Sequence, residues 1–391
     1  MQYHVTMIPR LLHEKLVQRS REYPVVTLLG PRQAGKTTLV KAAFPDFQYA
    51  NLENPEQRKF AQTDPKGFLK TNPCPLVIDE IQRVPELLSW IQVRVDAADG
   101  NGRFILTGSN QPELSAAVAQ SLAGRTSLLK LLPLSLEELS SYGVALDRDK
   151  CLVQGFLPRV HQEKQPATQA YLDYLATYVE RDLRQLINVK DLYRFEVFLR
   201  LLAGRVGQIL NLSALAADTG VSSTTLGHWL SVLEASFIVF RLAPYHGNLG
   251  KRLVKNPKLY FYEPGLVAAL LQVETSEQAS RDPLLGGMFE NMIVVEALKS
   301  VLNRGRHDAI TFYRDSNGNE VDLIIERQRI PHAIEIKASR TFAPDFLRGL
   351  RHFKELLPET GTSNVVYGGT ESMTGDDYRV WGFAETFRAI E

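Results

Sequence analysis

The sequence contains a complete phosphate-binding loop near its amino end. Residues 30–37 read Gly-Pro-Arg-Gln-Ala-Gly-Lys-Thr, which is the G-x-x-x-x-G-K-[ST] pattern. In such a loop backbone N–H groups face the phosphates, the lysine reaches the β and γ oxygens, and the threonine ligates Mg²⁺. We therefore expect ATP and Mg²⁺ as cofactors. The residues expected to contact them are Gly30, Pro31, Arg32, Gln33, Ala34, Gly35, Lys36, Thr37, Thr38 and Asn110.

The residues around this loop predict the elements that must position it. The apolar run at 25–29 is typical of a buried parallel strand, and residues 38–43 are typical of a helix. A strand, a glycine-rich loop and a helix in this order form the context in which the pattern binds phosphate.

Two carboxylates follow a second apolar run at 76–78, namely Asp79 and Glu80. The first is expected to hold Mg²⁺ and the second to polarise the attacking water, as in other phosphoryl-transfer sites. A helix cap is the alternative role at this position. A third predicted strand, 103–108, ends at Ser109 and Asn110, which either sense the γ-phosphate or cap a helix.

Four sequence blocks together extend this interpretation. The phosphate loop, Val-Ile-Asp-Glu-Ile-Gln, Leu-Thr-Gly-Ser-Asn and Ser-Leu-Ala-Gly-Arg occur in this order. Their combination resembles the prokaryotic AAA-type ATPases that carry a C-terminal domain of unknown function. The resemblance implies an α/β P-loop domain over residues 1–145, with Arg125 as an arginine finger or γ-phosphate sensor. Arg125 would act within its own chain or on a neighbour in a homo-oligomer, and a surface arginine is the alternative.

The middle region, residues 155–265, predicts a helical and winged-helix domain. A short helix, a turn at Gly220 and an amphipathic helix precede two extended segments at 237–242 and 258–262. In DNA-binding versions the second helix enters the major groove and the wing meets phosphates. The predicted DNA contacts are Ser222, Ser223, Thr224, Thr225, His228, Lys251, Arg252, Lys255 and Lys258. The second helix lacks Arg and Lys, however, and winged helices also serve as protein-interaction modules. The segment 248–265 matches the same family, except that Glu263 stands where the family usually has Asp.

The last region, residues 266–391, carries a second set of chemical groups. Glu290 lies on a predicted helix, Asp322 on a strand, and Glu335 and Lys337 on one face of the next strand. This order resembles the PD-(D/E)XK nuclease fold, which is α/β and places a divalent metal between the Asp and the Glu of Glu-x-Lys. The resemblance implies that Asp322, Glu335 and Glu290 bind Mg²⁺ or Mn²⁺, and that Lys337 orients the nucleophile or helps to deprotonate it. The alternative is a polar ladder on a sheet face.

Composition limits the remaining classes of function. The 391 residues carry a formal net charge of +1, so nucleic acid would have to bind through local patches. Cys74 and Cys151 lie outside any metal-binding pattern. Neither a signal-peptide core nor an apolar run of about 18 residues occurs. We expect a cytoplasmic protein without a membrane partner.

Two functions from different classes remain. The first is an AAA-type ATPase that hydrolyses ATP, binds DNA of branched or other structured form, and couples nucleotide state to a metal-dependent nuclease-like domain. The second is a regulatory ATPase whose C-terminal domain is catalytically silent and binds a protein partner. A metabolic phosphotransferase fits less well, because no acceptor site for a small molecule is visible in the sequence.

Overall fold

The computed structural model describes residues 7–109, 112–163, 165–178, 192–246 and 254–391. Two β-sheets organise these residues. One has five strands and lies in the first third of the chain, and the other has eight strands and lies mainly in the last third.

The first sheet is parallel throughout. Its strands are β1 (Val25–Gly30), β2 (Gln48–Asn51), β3 (Leu76–Asp79), β4 (Phe104–Ser109) and β5 (Thr126–Lys130). Their order is β2-β3-β4-β1-β5. All six residues of β1 are buried, as expected for an apolar strand covered on both faces. Because parallel strands end at the same edge, the loops that follow β1, β3 and β4 lie side by side.

Helices cover both faces of this sheet and form a separate apolar core on each face. Asn54 caps the third helix and is followed by proline at the first helical position, a combination that starts helices well. The helices are α1 (Leu12–Glu22), α2 (Lys36–Ala43), α3 (Pro55–Thr63), α4 (Pro65–Thr71), α5 (Leu87–Asp96) and α6 (Pro112–Ser121).

A helical region follows the first sheet. It opens with a capping box in which Ser135 and Glu138 each accept a hydrogen bond from the other's backbone N–H. Its helices are α7 (Leu136–Ser141), α8 (Arg148–Gln154), α9 (Pro158–Glu163), α10 (Ala167–Tyr178), α11 (Leu192–Ala203), α12 (Leu212–Thr219) and α13 (Ser223–Ala235). The spacing of apolar residues over 171–186 predicts one helix. This helix is confirmed as far as Tyr178, and its continuation lies outside the described residues.

The two helices predicted on either side of Gly220 and the two strands predicted after them are present. Helices α12 and α13 are joined by a turn in which Gly220 has a left-handed conformation, with a φ of 66°. Strands β6 (Val239–Pro244) and β7 (Lys258–Phe261) then pair antiparallel. The end of β6 also pairs with a strand of the C-terminal sheet, so this ribbon is continuous with that sheet.

The C-terminal part has three helices, then three strands, a helix, three more strands and a last short helix. Its long helix supplies apolar side chains on most of its surface and is almost wholly buried, because it packs between the sheet and the middle helices. The elements are α14 (Pro264–Leu270), α15 (Ser276–Arg281), α16 (Leu285–Asn303), β8 (Ala309–Arg314), β9 (Glu320–Arg327), β10 (Ile330–Lys337), α17 (Arg348–Leu356), β11 (Ser363–Tyr367), β12 (Met373–Thr374), β13 (Tyr378–Gly382) and α18 (Thr386–Ile390). The sheet order is β12-β13-β11-β10-β9-β8-β6-β7.

One apolar core joins the middle helices to the C-terminal sheet. It contains Tyr171 and Trp229 from the middle helices, Phe289 from α16 and Ile336 from β10. The domain boundaries predicted from the sequence stay predictions. Among the helices of the described residues, none is both long and apolar enough to cross a membrane.

Candidate functional site

The phosphate loop connects β1 to α2 at the carboxyl edge of the first sheet. Gln33 and Gly35 have positive φ values of 61° and 89°, and this turns successive backbone N–H groups toward one side of the loop. Glycine permits that conformation at position 35 without a steric penalty. The buried Lys36 Nζ donates hydrogen bonds to the carbonyl oxygens of Gly30 (3.0 Å) and Pro31 (2.8 Å). Burial lowers the pKa of Lys36 to about 8, although Glu80 and Asp79 oppose this shift.

Asp79 lies at the end of β3, directly opposite the start of α2. Its Oδ2 accepts hydrogen bonds from the Thr37 hydroxyl (2.8 Å) and the Tyr49 hydroxyl (2.6 Å). The Thr107 hydroxyl donates to Oδ1. Three hydroxyls from three different elements therefore fix this buried carboxylate beside the predicted Mg²⁺ ligand Thr37. The residues at this point fit a nucleotide-bound Mg²⁺, since they are hard oxygen donors.

Glu80 adopts a left-handed backbone conformation with a φ of 61°, unusual for a residue other than glycine. Its N–H donates to the Thr107 hydroxyl at 3.3 Å, and its carboxylate accepts a hydrogen bond from the Gln82 side chain. Burial raises the pKa of Glu80, while Lys36 nearby opposes the rise. A partly buried carboxylate with a raised pKa is suited to accept a proton.

The phosphate loop opens into a cavity of about 770 Å³, a size usual for small-molecule sites. Arg32, Lys36, Thr38 and Glu80 line one side of it. The opposite wall comes from the middle helices α9 and α10 and includes Pro158, Arg159, Gln162, Glu163, Tyr174 and Thr177. Arg159 lies within this cavity and forms an ion pair of 2.8 Å with Glu163. A nucleotide bound here would lie between two parts of the chain.

The buried side chain of Arg10 contacts the backbone of the phosphate loop. Its guanidinium donates to the carbonyl oxygens of Ala34 and Leu132, both at 2.6 Å, and pairs with the Glu138 carboxylate at 3.0 Å. The same carboxylate oxygen accepts from the Leu11 N–H at 2.8 Å. Arg10 is therefore a buried link between the phosphate loop and the segment that leads into α7.

Arg125 is not where a γ-phosphate sensor in the same chain would have to be. Thr126 pairs with Val25 at the amino end of β1, whereas the phosphate loop follows the carboxyl end of that strand, roughly 17 Å away. Arg125 instead forms a two-bonded ion pair with Asp96, with distances of 2.6 Å and 2.9 Å. The predicted contact within the same chain is wrong, and an action on a neighbouring chain stays a prediction. Ser109 lies at the end of β4 as expected, and Asn110 lies outside the described residues.

Three residues that support the phosphate loop and Asp79 were not predicted from the sequence, namely Tyr49, Thr107 and Arg10. The only sequence signal for Thr107 is a hydroxyl in an otherwise apolar strand. Tyr49 lies in a short strand without a motif, and its approach to Asp79 depends on β2 pairing with β3. Arg10 precedes an amphipathic helix and resembles a surface arginine in the sequence.

The C-terminal set does come together. Asp322 Oδ2 accepts a hydrogen bond from the Ile336 N–H at 2.8 Å and lies 3.6 Å from Lys337 Nζ. Lys337 also donates to Glu335. Burial raises the pKa of Glu335 to about 8 and that of Glu290 to about 7.

Lys258 is the unexpected member of this cluster. It was predicted to meet DNA phosphates, but it is 2% exposed, and its Nζ lies 2.7 Å from Glu290, 2.5 Å from Glu320 and 3.8 Å from Asp322. Burial alone would lower the pKa of Lys258, and the three carboxylates raise it. The prediction of a DNA contact for Lys258 is therefore wrong, because the side chain is directed into the protein.

These carboxylates do not fit a divalent metal as they stand. Both oxygens of Asp322 face a lysine, and Glu290 shares its oxygen with Lys258 and the Tyr260 hydroxyl. Within the described part of the chain, no group of three or more His, Cys, Asp or Glu side chains is arranged to hold a metal ion. The ammonium groups of Lys258 and Lys337 thus already neutralise part of this cluster.

The other predicted DNA contacts lie on the surface where they are described. They are Ser222, Ser223, Thr224, Thr225, His228 and Lys255, all exposed. Ser222 accepts a hydrogen bond from the Thr225 N–H and so caps α13. Lys251 and Arg252 lie outside the described residues.

Glu263, whose role the sequence left open, is a structural residue. Its buried Oε1 accepts hydrogen bonds from the Phe156 N–H (2.8 Å) and the Tyr171 hydroxyl (2.9 Å), and it caps α14 at Gly265. It therefore holds the loop before α9, the helix that lines the nucleotide cavity.

Comparison with known proteins places the chain in a family. The uncharacterized protein Rv2008c of Mycobacterium tuberculosis is 33% identical over 334 residues, which cover 84% of this chain and 73% of that protein. The chain belongs to the Rv2008c family. An uncharacterized protein of Haemophilus influenzae is 25% identical over 320 residues, covering 73% of this chain and 77% of its own length.

Three family models match successive parts of this member of the Rv2008c family. Residues 22–140 match an AAA domain, residues 146–277 match a domain of unknown function (DUF8612), and residues 285–385 match another (DUF4143). Among solved structures, the Walker-type ATPase PABY2304 of Pyrococcus abyssi is similar with a TM-score of 0.45 and 15% identity, covering 68% of this chain and 97% of that chain. The phosphate loop and the AAA match identify the first part as a P-loop ATPase domain of the AAA type.

Proposed function

We propose that this chain is an ATP-hydrolysing switch in which the middle helices respond to the nucleotide. The observation that carries the proposal is the convergence of Lys36, Thr37, Asp79 and Glu80 at one edge of the parallel sheet, beside a cavity of about 770 Å³.

Each residue has a role that follows from its position. The backbone N–H groups of the loop and the Lys36 ammonium would bind the β and γ phosphates. Thr37 and Asp79 would hold Mg²⁺, which supplies charge neutralisation at the phosphates when it is bound. Glu80 would accept the proton of a water whose oxygen attacks the γ-phosphorus, while the bond from that phosphorus to the β-phosphate oxygen breaks and ADP leaves.

The link to the rest of the chain rests on the far wall of the cavity. Because Pro158, Arg159 and Thr177 belong to α9 and α10, loss of the γ-phosphate changes what those helices face. Arg159 is a cation in a position to follow that change, provided that it leaves Glu163. We propose that hydrolysis resets the arrangement of these helices.

The test is phosphate release from ATP by the full chain and by matched lysine variants. Lys36→Ala should abolish turnover, and Lys59→Ala, which changes an exposed lysine on α3, should leave it unchanged. Glu80→Gln should still bind ATP but turn it over at least about a hundredfold more slowly. Turnover that persists in Lys36→Ala would show that the nucleotide assignment is wrong.

For the rest of the chain we propose a winged helix over α12, α13, β6 and β7, followed by a PD-(D/E)XK-like fold. The support is the order α16-β8-β9-β10-α17-β11, with β8 to β10 antiparallel and β11 parallel to β10. DNA binding through the exposed face of α13 and Lys255 is part of this proposal. It predicts that labelled duplex and four-way-junction DNA bind with an affinity that falls as salt rises, and that Lys255→Glu weakens the binding. Binding that is insensitive to both would contradict it.

A specific observation favours the second candidate function, a regulatory ATPase with a silent C-terminal domain. The position of Lys258 among Glu290, Glu320 and Asp322 opposes the uptake of Mg²⁺ or Mn²⁺ there. We therefore expect labelled single-stranded, forked and four-way-junction DNA to stay intact with either metal. Cleavage that is lost in Asp322→Ala would instead establish the nuclease.

A further inference from the structure

The Lys258 side chain reaches the C-terminal carboxylates from a strand outside the sequence region that supplies them. Lys258 is the first residue of β7, and its Nζ contacts Glu290 on the long helix α16 and Glu320 at the start of β9. It also lies 5.4 Å from the centre of the Phe312 ring on β8. One ammonium group thus contacts α16, β9 and β8, while Glu335 and Lys337 of the cluster lie on β10.

The charges around it are nearly balanced. The carboxylates of Glu290, Glu320, Asp322 and Glu335 face three cations, which are Lys258, Lys337 and Arg314. Asp322 shows the arrangement most clearly, since its Oδ1 is directed to one lysine at 3.8 Å and its Oδ2 to another at 3.6 Å. A buried carboxylate must be paired with a cation or be protonated. In this cluster the protein's own lysine and arginine side chains provide that pairing.

Lys258 is also held in place by its backbone. Strand β7 pairs with β6 on one side, and residues 207–210 hydrogen-bond to it on the other, for example from the Gly207 N–H to the Leu259 carbonyl at 2.9 Å. The Phe261 N–H donates to Asn291 Oδ1 at 2.7 Å, which ties the far end of β7 to the long helix. These contacts fix the backbone from which the Lys258 side chain projects, and that residue is 2% exposed.

We infer that Lys258 is the resident cation of the C-terminal site and stands in place of a divalent metal. A metal ion between Glu290 and Asp322 would lie within a few ångströms of a positive charge that is already there, and like charges repel strongly in a buried site. One carboxylate oxygen, Glu335 Oε2, is buried without a hydrogen-bond partner among the described residues. We therefore expect that this oxygen and the carboxylates freed by removal of Lys258 can bind a metal ion.

The experiment measures binding of Mn²⁺ alone to the full chain without nucleotide, by the loss of the free-ion signal in electron paramagnetic resonance. All variants carry Asp79→Asn, so that the phosphate-loop site contributes no carboxylate. The parent should show no strong Mn²⁺ site. Adding Lys258→Met should create one site per chain, at least about tenfold tighter than any in the parent, and adding Asp322→Asn should abolish it. Lys255→Met is the matched control, because it removes an exposed lysine three residues away.

Two results would overturn the inference. One is a Mn²⁺ site in the parent that disappears with Asp322→Asn while Lys258 is intact. The other is a folded Lys258→Met variant that gains no site. If Lys258→Met does not fold, Lys258→Met with Glu290→Gln removes one charge of each sign and keeps Glu320, Asp322 and Glu335. That variant should also gain Mn²⁺ binding, and its failure to do so counts against the inference equally.

This inference rests on the proposed nuclease-like fold and not on ATP hydrolysis. Phosphate release by Lys36→Ala and Mn²⁺ binding by Lys258→Met can therefore fail separately. If both succeed, the chain has one nucleotide site with a true metal and one site in which a strand of the ribbon supplies the cation.

Discussion

Replacing Arg10 with methionine should destabilise the first part of the chain far more than replacing an exposed arginine. Arg10 and Glu138 are 8% and 2% exposed, and the variant leaves the carboxylate buried without its partner. Removing one member of a buried ion pair costs about 3–5 kcal/mol. The carbonyl oxygens of Ala34 and Leu132 also lose their donor, so we expect the upper part of that range.

The assay is thermal unfolding followed by circular dichroism. For a domain of about 130 residues, a loss of 3–5 kcal/mol lowers Tm by roughly 10–15 °C. Arg125→Met is the control in the same part of the chain, because Arg125 pairs with Asp96 at 2.6 Å while the two side chains are 33% and 45% exposed. An exposed pair contributes at most about 1 kcal/mol, so that variant should shift Tm by only a few degrees.

A double variant separates the ion pair from general damage. Arg10→Met combined with Glu138→Gln should be less destabilised than the sum of the single changes, with a coupling of about 1–3 kcal/mol. Arg10→Met should also weaken ATP binding, because Ala34 belongs to the phosphate loop. The reasoning is refuted if Arg10→Met unfolds within a few degrees of Arg125→Met, or if the double variant is strictly additive.

Three further predictions follow from contacts of the described residues. Tyr49→Phe removes one of the hydrogen bonds to Asp79, and a hydrogen bond to a charged group contributes about 1.5–3 kcal/mol. ATP turnover should therefore fall at least about tenfold in a phosphate-release assay while the fold persists. Unchanged turnover would contradict this role of Tyr49. Burial lowers the pKa of Lys36 to about 8 in the free protein, and phosphate binding should raise this pKa again. Calorimetry in buffers of different ionisation enthalpy should therefore show that ATP binding takes up about 0.9 proton at pH 9 and about 0.1 proton at pH 7. Lys36→Arg should take up none at either pH. Gly349→Ala should lower Tm because its Cβ would lie 2.2 Å from a carbonyl oxygen of β9, whereas Gly286→Ala, with open space around it, should raise stability by about 0.5–1 kcal/mol.

The parts of the site that depend on local sequence were predictable. The phosphate loop, Asp79 and Glu80 are local because each follows a strand, and the ends of parallel strands converge whatever else the chain does. The strands that carry Asp322 and Glu335 were predictable for a similar reason, since side chains on adjacent strands meet when the strands pair.

The parts that depend on long-range packing were not predictable. Arg125 lies close to the nucleotide motifs in the sequence, but it precedes a strand instead of following one, which puts it at the wrong edge of the sheet. Lys258 has the composition of a surface wing residue, and only the pairing of β6 with β8 shows that its strand joins the C-terminal sheet and turns the side chain inward. Arg10 contacts Glu138, which is 128 residues away in the sequence, and no local sequence pattern predicts that contact.

The apolar core shared by the middle helices and the C-terminal sheet determines which parts of this protein we expect to unfold together and which fragments we expect to fold alone. Apart from Ile8, its residues run from Leu134 to Ile390, whereas the first sheet has its own core on each face. We therefore expect two cooperative unfolding units, with the second containing everything after the first sheet. A fragment that starts near residue 266 would expose Phe289, Met292 and Ile336 to solvent and aggregate, while the P-loop ATPase domain has the interior it needs to fold alone. Limited proteolysis should accordingly release the ATPase part from the remainder and leave the remainder undivided.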